Sequence, residues 1–193
     1  MVYVIRTVIM IPAGYMGKRV ADKTDWLQAD SVLDIYSVSP CISKDFADYI
    51  DFWKHNGHWL FDSPEIIASI AEDNALDMAG VKLFYYEIHE LEFHQDDKQW
   101  HCYEPEKSFV TDVKVPNTRT LEGFDVVTFY AGSSAECSPL SCNGLASEIK
   151  TNQHCLIESL EQAKQCLESG AFVKCEPGPL RIFAVYSLGS ESF

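Results

Sequence analysis

Residues 81–103 constrain the fold more than any other part of the sequence. Residues 81–93 and 99–103 are rich in aromatic and β-branched side chains, and Asp96-Asp97 lies between them as a turn signal. With these aspartates as the turn, the antiparallel register pairs Phe93 with Trp100, Leu91 with Cys102, and Glu92 with His101. Apolar side chains then share one face and polar side chains share the other. This sorting predicts a hairpin that is buried on one side.

Other segments also carry the residue types of strands. Residues 2–11 are mostly β-branched and stop at Pro12, and residues 12–17 have the glycine and proline content of a loop. Residues 124–130 and 180–188 are almost continuously apolar, which is typical of central strands. Weaker patterns predict strands at residues 31–38 and 109–115.

Three segments have apolar side chains at helical spacing. The first helix is predicted from Ser43 to Asn56-Gly57, and the third from residues 152 to 169. The second begins at Ser63-Pro64-Glu65, which combines an N-cap, a proline at the first helical position and an acid that the helix dipole favours. Hairpins mixed with segregated helices predict the α+β class. We expect one domain over residues 1–193, with a mainly antiparallel sheet of about five to seven strands and three helices packed on it.

The composition indicates a folded, acidic protein. A chain of 193 residues that is 47% hydrophobic can bury a core without needing a metal or a disulfide. Its net charge of −14 disfavours nucleic acid and anionic membranes as partners, and favours basic protein surfaces. Residues 2–11 are too short to span a bilayer and do not resemble an export signal. The seven cysteines are therefore expected to be thiols in a cytoplasmic protein.

The segment 132–144 is the strongest candidate for chemistry, because small residues, Cys137, Cys142 and Asn143-Gly144 follow a predicted strand there. One hypothesis is a cysteine nucleophile, Cys137 or Cys142, with His154 as the base, placed in the first turn of the third helix. A second is a zinc site drawn from Cys137, Cys142, His154, Cys155 and Cys175. The third and favoured interpretation is that most cysteines pack as small apolar residues, with Cys102 on the apolar face of the hairpin.

The polar face of the hairpin is the second candidate. Glu90, Glu92, His94 and His101 could hold a metal or act as acids and bases, or they could be a solvated surface. The sequence contains no phosphate-binding loop, dinucleotide fingerprint, HExxH or GxSxG motif.

The leading hypothesis is therefore a non-enzymatic binding protein without a cofactor, such as an inhibitor or immunity-type protein for a basic partner. Its predicted contact residues are Glu90, Glu92, His94, Asp96, Asp97 and His101. A small enzyme or zinc protein that uses the Cys137–Asn143 loop is the alternative. A small-molecule pocket lined by Trp53, Trp59 and Tyr85 is a further one.

Overall fold

The computed structural model describes residues 9–42, 44–46, 49, 55–107, 109–129 and 135–189. Its larger sheet contains β1 (Met10–Arg19), β4 (Lys44–Asp45), β5 (Val81–His94), β6 (Gln99–Cys102), β7 (Thr120–Thr128) and β8 (Leu180–Ser187). The smaller sheet pairs β2 (Ala21–Asp22) with β3 (Asp34–Ile35). The helices are α1 (Pro64–Asp73), α2 (Pro139–Cys142) and α3 (Leu160–Glu168), with a 3₁₀ turn at Leu145–Ser147. The α+β class with a mainly antiparallel sheet is confirmed.

The larger sheet is organised around the long strand β5. The strand order is β4-β1-β5-β8-β7, and β6 pairs with the end of β5. Every pairing between these strands is antiparallel. β8 is central, as predicted. β7 instead ends the sheet, and its outer edge is covered by bridges from Phe124 to Ile157 and from Thr128 to Cys137. Those bridges explain how a strand at the end of the sheet can be buried from Gly123 to Thr128.

Both faces of the sheet are covered. Along β7 and β8, neighbouring residues alternate between two apolar clusters: Val126 and Ile182 lie in one, and Val127 and Phe183 lie in the other. Because successive side chains of a strand point to opposite faces, the two clusters are the two sides of the sheet. Ile67 of α1 packs into one cluster, and Leu167 of α3 packs into the other. Among the described residues, none of the helices has the length and apolarity needed to cross a membrane.

The predicted hairpin is confirmed down to its register. Leu91 pairs with Cys102, Glu92 with His101, and Phe93 with Trp100. Phe93 is buried, as its place on the apolar face requires. Cys102 is exposed, however, so its predicted role as a packing residue is wrong. It is the last residue of β6, which pairs only with β5 in the part of the chain that the structure describes.

The predicted loop at residues 12–17 is wrong, because β1 runs through it. The register shifts between Pro12 and Gly14, and a bulge tolerates a residue that has no N–H to donate. Gly14 has φ +138°, and a Cβ there would lie 2.7 Å from the Phe61 carbonyl oxygen. The glycine therefore allows a close backbone approach between β1 and residue 61. Most of the strand predicted at residues 2–11, namely residues 2–8, falls outside the described residues.

Two other predicted strands differ from the structure. Within residues 31–38 only Asp34–Ile35 is a strand, because the Leu33 and Tyr36 N–H groups donate to the carbonyls of Gln153 and His154 instead. Residues 109–115 contain no strand in the described part, and Val110 is 97% exposed. An apolar residue that exposed does not contribute to a sheet core.

The helix predictions have mixed outcomes. α1 begins at Pro64 with Ser63 as its N-cap, as predicted. The helix predicted from Ser43 is contradicted at its start, where Lys44–Asp45 pairs with β1, and residues 47, 48 and 50–54 lie outside the described residues. The third helix begins at Leu160 rather than at residue 152, because the Ser159 hydroxyl accepts the Gln162 N–H and caps it there.

Residues 152–156, where the apolar spacing predicts the start of the third helix, form a turn instead. The Asn152 Oδ1 accepts N–H donations from His154 at 2.9 Å and from Leu156 at 3.1 Å. Cys155 has φ +61°, a left-handed conformation incompatible with a helix interior. His154 is therefore not in the first turn of a helix, and that prediction is wrong.

Candidate metal centre

Three thiols meet at one end of β7. The Sγ atoms of Cys41, Cys137 and Cys142 all lie within 4.8 Å of one another. Cys137 is buried, Cys142 is half-buried and Cys41 is exposed. All three are free cysteines. The cluster therefore runs from the protein interior to its surface.

Cys137 and Cys142 are positioned by the end of β7 and by the short helix α2. The Thr128 N–H donates to the Cys137 carbonyl at 2.9 Å, which extends the ladder of β7 by one bridge. Cys142 is the last residue of α2, and its N–H donates to the Ser138 carbonyl at 2.9 Å. The Cys137 Sγ lies 3.3 Å from Asn143 Oδ1, to which it donates. The turn between the two cysteines thus returns the second thiol toward the first.

Cys41 reaches the cluster through an anchored segment, residues 37–39. The Lys18 ammonium donates to the carbonyls of Ser37, Val38 and Ser39 at 2.7, 2.8 and 3.0 Å. Lys18 is only 1% exposed, so these hydrogen bonds are made inside the protein. The Cys41 Sγ lies 2.9 Å from the Glu136 carbonyl oxygen. A strand residue therefore holds the segment that brings the third thiol into place.

A buried carboxylate ties the same segment to α2. Asp125 Oδ2 accepts the Val38 N–H at 2.8 Å and the Ser138 hydroxyl at 2.6 Å. Ser39 and Ser138 also exchange backbone-to-hydroxyl hydrogen bonds at 3.2 and 3.1 Å. Burial raises the pKa of Asp125 to about 6, although the Ser138 hydroxyl, the Val38 N–H and the charge of Lys18 oppose the shift. Lys18 and Asp125 are therefore the buried charged residues whose hydrogen bonds hold the segments that carry the thiols.

The thiols perturb one another. Hydrogen bonds from Cys137 and Cys142 lower the pKa of Cys41, and the nearby charge of Lys18 acts in the same direction. The pKa of Cys137 is raised by its contacts with Cys142 and Cys41 and by burial. The pKa shifts therefore make Cys41 the thiol of the three that ionises most readily. Thiolates are the form of cysteine that binds metals.

The cluster opens onto a cavity. A space of about 370 Å³ is lined by Thr24, Trp26, Cys41, Ile42 and Cys142. Two of the three thiols are therefore accessible from one recess, which is bordered by an aromatic ring. A small molecule or ion could reach the sulfurs from this side.

The structure brings together only part of the predicted thiol site. Cys137 and Cys142 meet, but among the described residues neither His154 nor Cys175 belongs to the cluster. His154 Nδ1 pairs with Asp34 Oδ1 at 2.5 Å, and its ring stacks on Tyr36 with centroids 4.1 Å apart. The Cys175 thiol instead lies 3.6 Å from Gln95 Nε2. Cys155 is buried, and burial raises its pKa to about 12.

Cys41 is the member that sequence reasoning missed. It is far from Cys137 and Cys142 in the chain, and no close pair of cysteines marks it as a ligand. The only local signal is Pro40 before it, which indicates a turn or extended segment and no particular chemistry.

Several side chains on the polar face of the hairpin form hydrogen bonds or ion pairs with neighbouring side chains. Glu92 is 8% exposed, and it bonds His94 Nε2 at 2.9 Å and Arg181 Nε at 2.8 Å. Asp97 pairs with His101 at 2.8 Å, and Asp96 is exposed at the tip. Glu90 is half-buried, and its N–H donates to the Ile9 carbonyl. Of the predicted contact residues, Glu92 is thus committed to interactions within the fold, whereas Asp96 and Asp97 face solvent.

Comparison of the chain with protein-family models, with curated proteins and with solved structures found no match.

Proposed function

We propose that this protein binds zinc, a divalent ion with affinity for thiolates, through Cys41, Cys137 and Cys142. The observation that supports this proposal is the convergence of the three sulfurs within 4.8 Å from two separate segments of the chain. Cysteines used only for packing need not converge in this way. Of the zinc ligands that the sequence predicts, this site keeps Cys137 and Cys142, and Cys41 replaces His154, Cys155 and Cys175.

The spacing of the sulfurs suits zinc. Tetrahedral coordination with Zn–S bonds of about 2.3 Å places two sulfurs about 3.8 Å apart. The three sulfurs already lie within 4.8 Å, so small side-chain rotations would complete the geometry. Zinc would replace the thiol protons of its three cysteine ligands, so its affinity should weaken as the pH falls.

The surroundings of the cluster also suit a metal held by three sulfurs. Zinc bound by three thiolates retains one net negative charge, and the buried ammonium of Lys18 lies close enough to influence the Cys41 thiol. Three protein ligands leave a fourth position for water or a small ligand, the arrangement of zinc sites that do more than stabilise a fold. The cavity lined by Trp26 would give access to that position.

Metal binding by cysteine variants tests the proposal. Purified protein loaded with zinc under reducing conditions should retain one ion per chain, measured by elemental analysis after removal of free metal. Replacing zinc with cobalt should give the sulfur-to-cobalt charge-transfer absorption of a thiolate site. The variants C41S, C137S and C142S should each have a lower affinity for zinc. The loss should exceed the roughly 10- to 100-fold loss that is typical when an outer-shell partner of a metal ligand is removed.

A fourth cysteine serves as the control. Cys102 is exposed and lies outside the cluster, so C102S should bind zinc as the unmodified protein does. Equal zinc retention in all four variants, or cobalt spectra without thiolate absorption, would contradict the proposal. So would a disulfide between Cys137 and Cys142 that persists under reducing conditions.

Binding of a basic protein remains a second proposal. Its support is the net charge of −14 together with the exposure of Asp96 and Asp97 at the hairpin tip. Because screening shortens the reach of exposed charges, affinity for a basic partner should fall steeply between low and high salt. A pull-down at low salt, repeated with D96N/D97N, measures this effect. A captured partner that binds both proteins equally at every salt concentration would count against the hairpin as its contact site.

A further inference from the structure

A second cavity lies apart from the thiols. It encloses about 260 Å³ and shares no lining residue with the thiol cavity. Its walls are mostly apolar, and its lining includes Ile11, Pro12, His58, Pro105, Lys107 and Val113. An apolar cavity smaller than this one, of about 150 Å³, is known to accept benzene. The space is therefore sufficient for a small aromatic or aliphatic molecule.

His58 is the unusual member of this lining. It is 7% exposed, and its Nδ1 is buried with no hydrogen-bond partner in the described part of the chain. A buried polar atom without a partner costs free energy, so a rotation of the His58 ring that presented Nδ1 to a ligand in the cavity would gain affinity. Burial lowers the pKa of His58 to about 4, and the charges of Arg181 and Lys107 add to the shift. The ring is therefore neutral at neutral pH, and the positive charges that act on it are those of Arg181 and Lys107.

The wall that carries His58 is rigidly built. Asn56 Nδ2 donates to the Ala13 carbonyl at 2.8 Å, while its Oδ1 accepts the His58 N–H at 3.0 Å. Gly57 has φ +85°, and a Cβ there would lie 2.8 Å from Pro105 Cβ. The segment is thus packed tightly against the opposite wall of the cavity. Such preorganisation lowers the entropic cost of binding a small ligand.

We propose that this cavity binds a small apolar carboxylate, with its hydrocarbon body against Pro12, Pro105 and Val113 and its charge directed to His58 and Lys107. A carboxylate can pair with the ammonium of Lys107 in the lining, which a neutral or cationic molecule cannot do. Arg181 is already paired with Glu92. Of the two cations that act on His58, Lys107 is therefore the one that would pair with the ligand. The other ionisable groups of the lining are Glu104 and Tyr103, and burial raises the pKa of Tyr103. An anion beside His58 would favour the imidazolium, so binding should take up a proton and strengthen as the pH falls.

Benzoate and its neutral analogue benzamide are the probes. Calorimetric titration of the full chain near pH 6 should show benzoate binding about tenfold more tightly than benzamide, as a charge-assisted hydrogen bond requires. Titrations in buffers of different ionisation enthalpy should show proton uptake with benzoate alone. K107M should remove most of the preference for benzoate, and V113F should weaken both probes by filling the cavity. H58Q should abolish the proton uptake.

Control titrations separate this proposal from zinc binding and from misfolding. K150M changes an exposed lysine outside the cavity and should leave both affinities unchanged. C142S removes a zinc ligand but should leave benzoate binding intact. Equal affinities for the two probes, no detectable benzoate binding, or an affinity that V113F leaves unchanged would each overturn the proposal. Lys107 is exposed, so K107M should leave the fold intact. An unchanged melting temperature of K107M would show that its weaker benzoate binding does not come from misfolding.

Discussion

Replacing Lys18 with methionine is expected to lower the free energy of unfolding by about 3–5 kcal/mol, the usual cost of breaking a buried charged interaction. Methionine keeps the length and apolar stem of lysine but cannot donate to the carbonyls of Ser37, Val38 and Ser39. It also removes the positive charge that acts on the buried Asp125. Urea unfolding followed by fluorescence measures the loss.

The loss should depend on pH. The folded-state pKa of Asp125 is raised above its unfolded value, so folding favours the protonated acid and stability falls as the pH rises toward about 6. Without Lys18 this folded-state pKa should rise further, so the free energy of unfolding should continue to decrease up to a higher pH. The K18M variant should therefore be more destabilised at pH 8 than at pH 5.

The same substitution connects the fold to the proposed metal site. Lys18 holds the segment that precedes Cys41, so K18M should also weaken zinc binding while all three thiols remain present. K150M is the matched control, because Lys150 is 80% exposed in its ion pair with Glu158 and should change neither property. A K18M protein as stable as the unmodified one at pH 8 would show that the buried ammonium is not needed.

The second large effect is expected at the buried pair of Arg181 and Glu92. Arg181 Nε donates to Glu92 Oε2 at 2.8 Å, and the two side chains are 8% and 10% exposed. The guanidinium also lies 4.0 Å from the ring centroids of Tyr103 and Phe129. R181M leaves the Glu92 carboxylate buried, with His94 as its remaining hydrogen-bond partner among the described residues, and should cost about 3–5 kcal/mol.

Two further variants isolate the pair. E92Q/R181M should recover part of the stability lost in R181M, because the uncompensated charge is then absent. Lys174 and Glu148 form a shorter pair at 2.6 Å but are 63% and 56% exposed, so K174M should cost less than about 1 kcal/mol. Equal losses in R181M and K174M would show that burial does not set the strength of these pairs.

The two predictions concern residues whose roles the sequence did not reveal. Lys18 and Arg181 carry no local signal of burial, since lysine and arginine are mostly exposed in proteins. Each is buried because several backbone or side-chain acceptors from distant segments meet it. The alternation of the hairpin places Glu92 on its polar face, but its partner Arg181 belongs to β8 and converts that part of the face into a buried ion pair.

Local patterns did determine much of the architecture. Alternating polarity established the hairpin and its register at Phe93 and Trp100, because a slip by one residue would expose every buried side chain. Ser63-Pro64 established the start of α1. Ser159 and Gln162 have the spacing of a helix-capping pair and mark the true start of α3, a signal that the apolar periodicity upstream concealed.

The sequence alone determined the α+β class, the acidic charge and the pairing of its hairpin, since these depend on neighbouring residues. Tertiary structure alone decided that β1 continues through Pro12 and Gly17, that His154 lies with Asp34, and that Cys41 joins Cys137 and Cys142. The physical reason is the same for all three. They depend on contacts between segments far apart in the chain, whose energies no local pattern of residues records.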